Sequence, residues 1–122
     1  MIHLTIPELA PSLNGKRGMI RMHWTKLGKL KGRWKILVLE AAKGKRMPGT
    51  CHVKVVRYYA YTMLEWDNAY SSLKIVLDAL RHSGIIQDDS DAIIGRPEVD
   101  QVKVPHRKDQ RTEIFITERE QE

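Results

Sequence analysis

The order of hydrophobic patterns along this chain constrains its fold more than any other feature of the sequence. Apolar and polar residues alternate over residues 2–6, which predicts a short strand. Apolar residues then recur at helical spacing from about 25 to 43 and again from about 68 to 82, which predicts two helices. Between these helices, residues 50–61 are β-branched and aromatic and predict a second strand.

The C-terminal part of the chain contains two further strand patterns. The first covers Ala92–Val104 with a break near Gly95–Pro97, and the second covers Arg111–Glu118. The loop His106–Gln110 between them suits an antiparallel hairpin. The order β-α-β-α-β-β therefore predicts an α/β (α+β) fold. We expect a single domain over residues 1–122, with a mixed four-stranded sheet and two helices on one face.

Glycines set the expected bounds of both helices. Gly28 and Gly32 each weaken a helix by about 1 kcal/mol, so a start near Lys31 is an alternative to the longer first helix. Gly44 is expected to end the first helix and Gly84 the second, since glycine readily adopts the left-handed conformation found after helices.

Charge is divided unevenly along the sequence. Residues 1–66 hold 13 Lys and Arg against three acidic residues, a net charge of +10. Residues 67–122 hold 8 Lys and Arg against 12 acidic residues, a net charge of −4. This division predicts a face that binds a polyanion, next to a function that requires carboxylates.

Several classes of protein are excluded by what the sequence lacks. No apolar run approaches the roughly 20 residues that span a bilayer, and the first residues do not resemble a signal peptide. We therefore expect a cytoplasmic protein with no membrane partner. A single cysteine, Cys51, excludes a disulfide framework and is expected to be buried. P-loop, nucleophile-elbow and dinucleotide-binding motifs do not occur, and the five histidines share no metal-ligand spacing.

Acidic residues on either side of the second helix form the one constellation with chemical meaning. Glu65 and Asp67 lie two apart at the end of an extended segment, and the strand period of two puts both carboxylates on one face. Asp88 and Asp89 follow the Gly84 turn. If the next strand runs back beside the strand before the helix, Asp89 comes close to Asp67. Three carboxylates at one point would form an oxygen-only site suited to Mg²⁺ or Mn²⁺.

Each of these residues also has a simpler structural interpretation. Asp67 or Asn68 would serve as the N-cap of the second helix, and Asp88–Ser90 would form an ordinary polar turn. Lys74 and Asp78 would form an i, i+4 ion pair on a solvated helix face.

In their order and spacing these residues resemble the RusA family of Holliday junction resolvases, which is common in prophages. The core of that family is Asp-x-Asp-Asn, a lysine on a helix ending in Asp-Ala-Leu, and a glycine turn into Asp-Asp. The corresponding residues here are Glu65–Asn68, Lys74, Leu77–Leu80 and Gly84–Asp89. Pro11–Asn14 is similar to the family's Pro-Ser-x-Asn loop.

The resemblance implies a homodimeric, Mg²⁺-dependent endonuclease that resolves four-way DNA junctions by symmetric cleavage in recombination and repair. It implies that Glu65, Asp67 and Asp89 hold the metal, and that Lys74 stabilises negative charge on the phosphorane or leaving oxygen. Two features depart from the family. Glu65 replaces the usual aspartate, and about three additional residues precede Lys74, which is nearly one helical turn.

The basic half of the sequence supplies the expected DNA contacts. Contacts to phosphate recognise the shape of the substrate and depend steeply on salt. The expected contacts are Asn14, Lys16, Arg17, Arg21, Lys26, Lys29, Lys31, Arg33, Lys35 and Asn68. For each lysine the alternative is a solvated surface residue.

The three tryptophans have different expected roles. Trp34 is predicted to lie in the core, and Trp66 in the core or a dimer interface. Trp24 is predicted to be buried, with stacking on an unpaired base as the alternative. The alternative function for the chain is a non-catalytic nucleic-acid-binding module with a degenerate acidic site, which the Glu65 departure favours. A regulatory protein whose acidic half binds a basic partner is a third.

Overall fold

Four strands form one mixed sheet in the computed structural model, which describes residues 1–12, 19 and 22–119. The strands are β1 (Ile2–Ile6), β2 (Cys51–Tyr59), β3 (Glu98–Lys103) and β4 (Arg111–Glu118). Their order in the sheet is β1-β4-β2-β3, with β4 antiparallel to both of its neighbours and β3 parallel to β2. The predicted fold class, with its mixed four-stranded sheet, is confirmed.

Four helical segments accompany the sheet in the described part of the chain. They are α1 (Trp24–Ala42), α2 (Trp66–Ser71), α3 (Leu73–His82) and α4 (Asp91–Ile94), followed by a 3-10 turn (Arg107–Asp109). None of the described helices has the length and apolar character needed to cross a lipid bilayer.

The first helix is as long as its apolar pattern predicts, and the second is interrupted. The α1 helix begins at Trp24 despite its glycines, and the His23 ring at its N-cap accepts a hydrogen bond from the Thr25 amide. The second predicted helix is divided at Ser72, whose hydroxyl donates to the Ala69 carbonyl at 2.5 Å. Serine side chains that bond to the preceding turn compete with the backbone and bend helices, which explains the division.

One face of the sheet holds the core, and α1 and α3 cover it. Leu4, Val55 and Ile114 lie side by side in the register on this face and are fully buried. Trp34 of α1 and Leu80 of α3 belong to the same hydrophobic cluster. The opposite face carries polar side chains, among them His3, Lys54 and Glu113, together with Val56 and Phe115. The two longest helices, α1 and α3, therefore cover the same face of the sheet, as predicted.

The predicted hairpin between β3 and β4 is wrong, because β4 lies between β1 and β2 and does not pair with β3. Ile114 and Ile116 of β4 are fully buried, so this strand suits the centre of the sheet, where both of its edges are paired. Every residue of β3 is at least partly exposed, and polar strands of this kind suit an edge.

The predicted strand Ala92–Val104 is wrong at its start. Residues 91–94 form α4, and Gly95 follows with a φ of +62°. This backbone conformation favours glycine, whereas the guanidinium of Arg119, 2.8 Å from a Cβ placed at Gly95, ends a flexible side chain that can move away. The break near Gly95–Pro97 is confirmed, and the strand begins at Glu98.

Candidate functional site

The first two acidic residues of the predicted metal site lie at the start of α2. Glu65 is the N-cap residue, Asp67 is in the first turn, and both side chains are exposed. The predicted extended segment is wrong here: β2 ends at Tyr59 and Asp67 is helical, so strand alternation does not align the two carboxylates. The N-cap residue is Glu65, not Asp67 or Asn68, but the Asp67 carboxylate does accept a hydrogen bond from a backbone amide of the first turn, that of Asn68, at 2.9 Å.

Asp89 lies after the end of α3, in a segment that turns at Gly84. Gly84 has a φ of +76°, and the Ile85 amide donates to the Leu80 carbonyl at 3.0 Å, which closes the helix as predicted. The Asp89 carboxylate is half-buried, and its Oδ1 lies 3.8 Å from Nε of Arg81. The only ion pair of Asp89 within the described residues is therefore with α3.

A three-carboxylate ligand set is not assembled within the described part of one chain. Among those residues, no three His, Cys, Asp or Glu side chains are grouped so that they could hold a metal ion. Glu65 and Asp67 lie at the start of α2 and Asp89 follows α3, and these two helices together advance the chain by up to about 25 Å. The oxygen donors suit Mg²⁺, but their placement in a single chain does not fit the predicted ligand set.

Lys74 forms an ion pair with a residue on its own helix. Its Nζ lies 3.3 Å from Oδ1 of Asp78, and the Arg81 guanidinium approaches the same oxygen at 3.8 Å. Only 9% of the Asp78 side chain is exposed. The pair was expected on a solvated helix face, and that interpretation is wrong for its acidic member, because Asp78 faces the interior of the helix pair.

A buried arginine that the sequence analysis missed holds the segment leading to Glu65. Arg57 in β2 donates from Nε to the Ala10 carbonyl and from Nη1 to Oε1 of Gln101, both at 3.1 Å. Gln101 in β3 accepts from the Leu64 amide at 3.0 Å and donates to the Leu64 carbonyl at 2.9 Å. Burial lowers the pKa of the Arg57 guanidinium. These bonds fix the approach to α2 against the sheet.

The sequence does contain a signal for this arginine. Cys51, Val53 and Val55 alternate along β2 and point into the core, and Arg57 occupies the next position of the same alternation. A charged side chain at an inward position is buried only when it has several hydrogen-bond partners.

The exposed cations of α1 form a second candidate region. Lys26, Lys29, Lys31 and Lys35, here called the α1 lysines, are all exposed, and none forms an ion pair within the described residues. Arg33 is also exposed and pairs with Glu8.

The other expected DNA contacts are less informative. Asn14, Lys16, Arg17 and Arg21 lie outside the described residues. Asn68 is half-buried, and its backbone carbonyl accepts from the Ser71 hydroxyl at 2.7 Å. Apart from Asn68, the expected DNA contacts that the structure describes therefore all lie on α1.

The three tryptophans differ in how much of each is exposed to solvent. Trp34 is fully buried, as predicted. Trp24 is 76% exposed, so its predicted burial is wrong; Met19 and Met22 pack at this end of α1 instead. Trp66 is 52% exposed, which excludes a place in the core of one chain.

Two further groups lie away from both regions. Cys51 is buried as expected, and burial raises the pKa of its thiol. On the polar face of the sheet, Glu113 accepts from His3 at 2.6 Å and from Arg111 at 3.0 Å. Burial raises the pKa of the Glu113 carboxyl, but these two hydrogen bonds outweigh burial and leave the pKa below its ordinary value.

Comparison with known proteins does not assign the chain to a family. The sequence matches no protein-family model, and no curated protein is significantly similar to it. The resemblance to the RusA family therefore stays a prediction that rests on the motif residues themselves.

Proposed function

We propose that the protein binds branched DNA through the exposed face of α1. The observation that carries this proposal is the group of α1 lysines, four exposed cations on one helix without an ion pair in the described residues. Cations without protein partners are available to phosphates, and each phosphate contact releases counterions from DNA. The net charge of +10 over residues 1–66 supports the same partner.

The proposal includes Mg²⁺-dependent cleavage of four-way junctions in DNA recombination and repair, carried out in the cytoplasm. In this proposal Glu65, Asp67 and Asp89 would hold the ion and Lys74 would lie at the scissile phosphate, which requires an arrangement of the carboxylates that the described part of one chain does not contain. This part is supported by the order of the motif residues. A homodimer belongs to the proposal because a four-way junction presents two equivalent strands to a two-fold axis.

A non-catalytic module that binds branched DNA is the second candidate. The placement of Asp67 at the start of α2 and of Asp89 beyond the end of α3 favours it, as does the ion pair between Lys74 and Asp78.

Binding and cleavage of a synthetic four-way junction, with and without Mg²⁺, separate the two candidates. Asp67→Asn and Asp89→Asn are the test variants. Asp100→Asn is the matched control, because each carboxylate accepts a hydrogen bond from the backbone amide of the following residue. The donor–acceptor distance is 2.8 Å at Asp100 and 2.9 Å at Asp67.

The resolvase proposal predicts Mg²⁺-dependent cleavage that falls by at least about 100-fold in both test variants and is unchanged in Asp100→Asn. Junction binding without cleavage at any Mg²⁺ or Mn²⁺ concentration would support the non-catalytic module. Absence of preferential binding to the junction over duplex DNA would contradict both candidates.

A further inference from the structure

A groove between the start of α1 and α3 borders two cations of the proposed function, Lys31 and Lys74, and the proposed function assigns no ligand to its interior. It encloses about 230 Å³, less than the roughly 300–1,000 Å³ of pockets that enclose a drug-sized ligand. Its apolar lining comes from Met19, Met22, Leu27 and Ile75. The exposed ring of Trp24 also lines it, so the groove combines an aromatic surface with a small apolar space.

Polar groups lie at defined places around this groove. Lys31 and Lys74 line it from α1 and α3, and the largely buried Asp78 carboxylate lines it as well. A second cavity of about 170 Å³ adjoins it and shares Lys31, Ile75 and Asp78. Asp78 is balanced by Lys74 and Arg81, so the carboxylate adds a hydrogen-bond acceptor without leaving an unpaired buried charge.

We propose that this groove binds an unstacked nucleobase. Trp24 stacks on the base, Lys31 and Lys74 contact the phosphates on either side of it, and Asp78 accepts a hydrogen bond from an exocyclic amino group. Adenine, cytosine and guanine carry such a group. Thymine carries carbonyl oxygens on either side of its one ring N–H, and these would face the carboxylate.

The chemistry around the groove favours a nucleotide over a protein side chain. An apolar side chain would match the lining but would bring no negative charge to Lys31 and Lys74 beside it. A nucleotide combines a flat apolar ring with a negative charge on each side, which is the complement of this surface. The inference rests on the proposed binding of DNA, but not on cleavage or on the metal.

Fluorescence anisotropy with short single-stranded oligonucleotides tests the groove directly. The probes are dye-labelled dA, dC and dT ten-mers and an abasic ten-mer, which has the phosphates but no bases. We expect tighter binding of dA and dC than of dT, by at least roughly five-fold, and weakest binding of the abasic strand.

Two test variants and one control variant separate the stacking contact from the hydrogen bond. Trp24→Ala should weaken dA and dC binding by roughly ten-fold and leave the abasic strand unchanged, because stacking is the contact removed. Trp66→Ala removes an exposed ring that does not line the groove and is the control; it should change neither. Asp78→Asn should shrink the preference for dA and dC over dT, with circular dichroism confirming that the variant folds.

Three results would overturn the inference. Equal weakening by Trp24→Ala and Trp66→Ala would exclude the groove as the stacking site. Equal binding of abasic and base-bearing strands by the wild type would show phosphate contacts alone, which contradicts the groove while supporting the proposed DNA binding. Failure of the wild type to bind any strand or junction would contradict both proposals.

Discussion

The α1 helix and the segment that joins β2 to β3 place their charged residues by different means. The α1 lysines occupy one helix of 19 residues, so the helix itself fixes their spacing. In the joining segment, Glu65 is a helix cap, Asp67 is in a first turn, and Asp89 lies in a loop beyond a second helix. The relative positions of these three carboxylates depend on contacts made elsewhere in the fold.

The difference shows which parts of the surface tolerate change. The cation spacing on α1 survives any substitution that leaves the helix intact. The start of the joining segment depends on Arg57, which reaches it through Gln101 and Leu64. We therefore expect single substitutions far from the acidic residues to alter that segment while leaving the α1 face unchanged.

The largest effect is expected from Arg57→Met, which removes the hydrogen bonds to Ala10 and Gln101. The buried acceptors lose their donor, so the free energy of unfolding should fall by about 2–4 kcal/mol in urea titrations. Lys54→Met changes an exposed cation on the same strand and should stay within about 0.5 kcal/mol of the wild type. Equal stability of the wild type and Arg57→Met would contradict the proposed role of this network.

A smaller effect is expected from Glu113→Gln, another residue whose partners come from elsewhere in the fold. Loss of its charged hydrogen bonds should lower stability by about 1–2 kcal/mol at pH 7. Because folding lowers the pKa of this carboxyl, its stabilising contribution is present above the unfolded-state value of about 4.3. The contribution is lost as the pH falls through the folded-state pKa.

Urea unfolding of the wild type and Glu113→Gln at pH 7 and at pH 3 checks this dependence, and the difference should shrink at the lower pH. Glu98→Gln breaks an exposed pair with His52, 2.7 Å long, and is the control. That pair should contribute less than about 0.5 kcal/mol at either pH. A difference for Glu113→Gln that grows in acid would contradict the lowered pKa.

The smallest effect is expected within α1. Gly28→Ala replaces a helical glycine whose Cβ would meet no atom within 4 Å, and should raise stability by up to about 1 kcal/mol. Gly95→Ala is the contrasting control, because its positive φ makes alanine unfavourable there. Thermal unfolding measures both. Destabilisation by Gly28→Ala would show that α1 is not governed by local helix propensity.

Local patterns predicted the parts of this fold that depend on local physics. The alternation of residues 2–6 and Arg111–Glu118 predicted strands with the observed bounds, and the apolar stripe of α1 predicted its full length. The order of the strands in the sheet could not be predicted from these local patterns. The pairing of β4 with β1 and β2 depends on the burial of Ile114 and Ile116 against strands that are distant in sequence.

The candidate sites show the same contrast between features set by local sequence and features set by distant contacts. The charge of residues 1–66 predicted the α1 cations as DNA contacts, and those cations are exposed. The sequence pattern did not predict the exposure of Trp24, which depends on Met19 and Met22 packing at that end of the helix. The predicted alignment of the Glu65 and Asp67 carboxylates required a strand conformation at residue 67, where the chain is helical.

The most direct test of the central claim, that the α1 lysines bind DNA phosphates, is the salt dependence of four-way junction binding. We predict that replacing all four lysines by glutamine reduces the slope of log K against log salt by about 3–4, since each phosphate contact contributes about 0.9. Lys54→Gln with Lys103→Gln alters exposed lysines on β2 and β3 and should reduce it far less. An unchanged slope in the fourfold α1 variant would contradict the account.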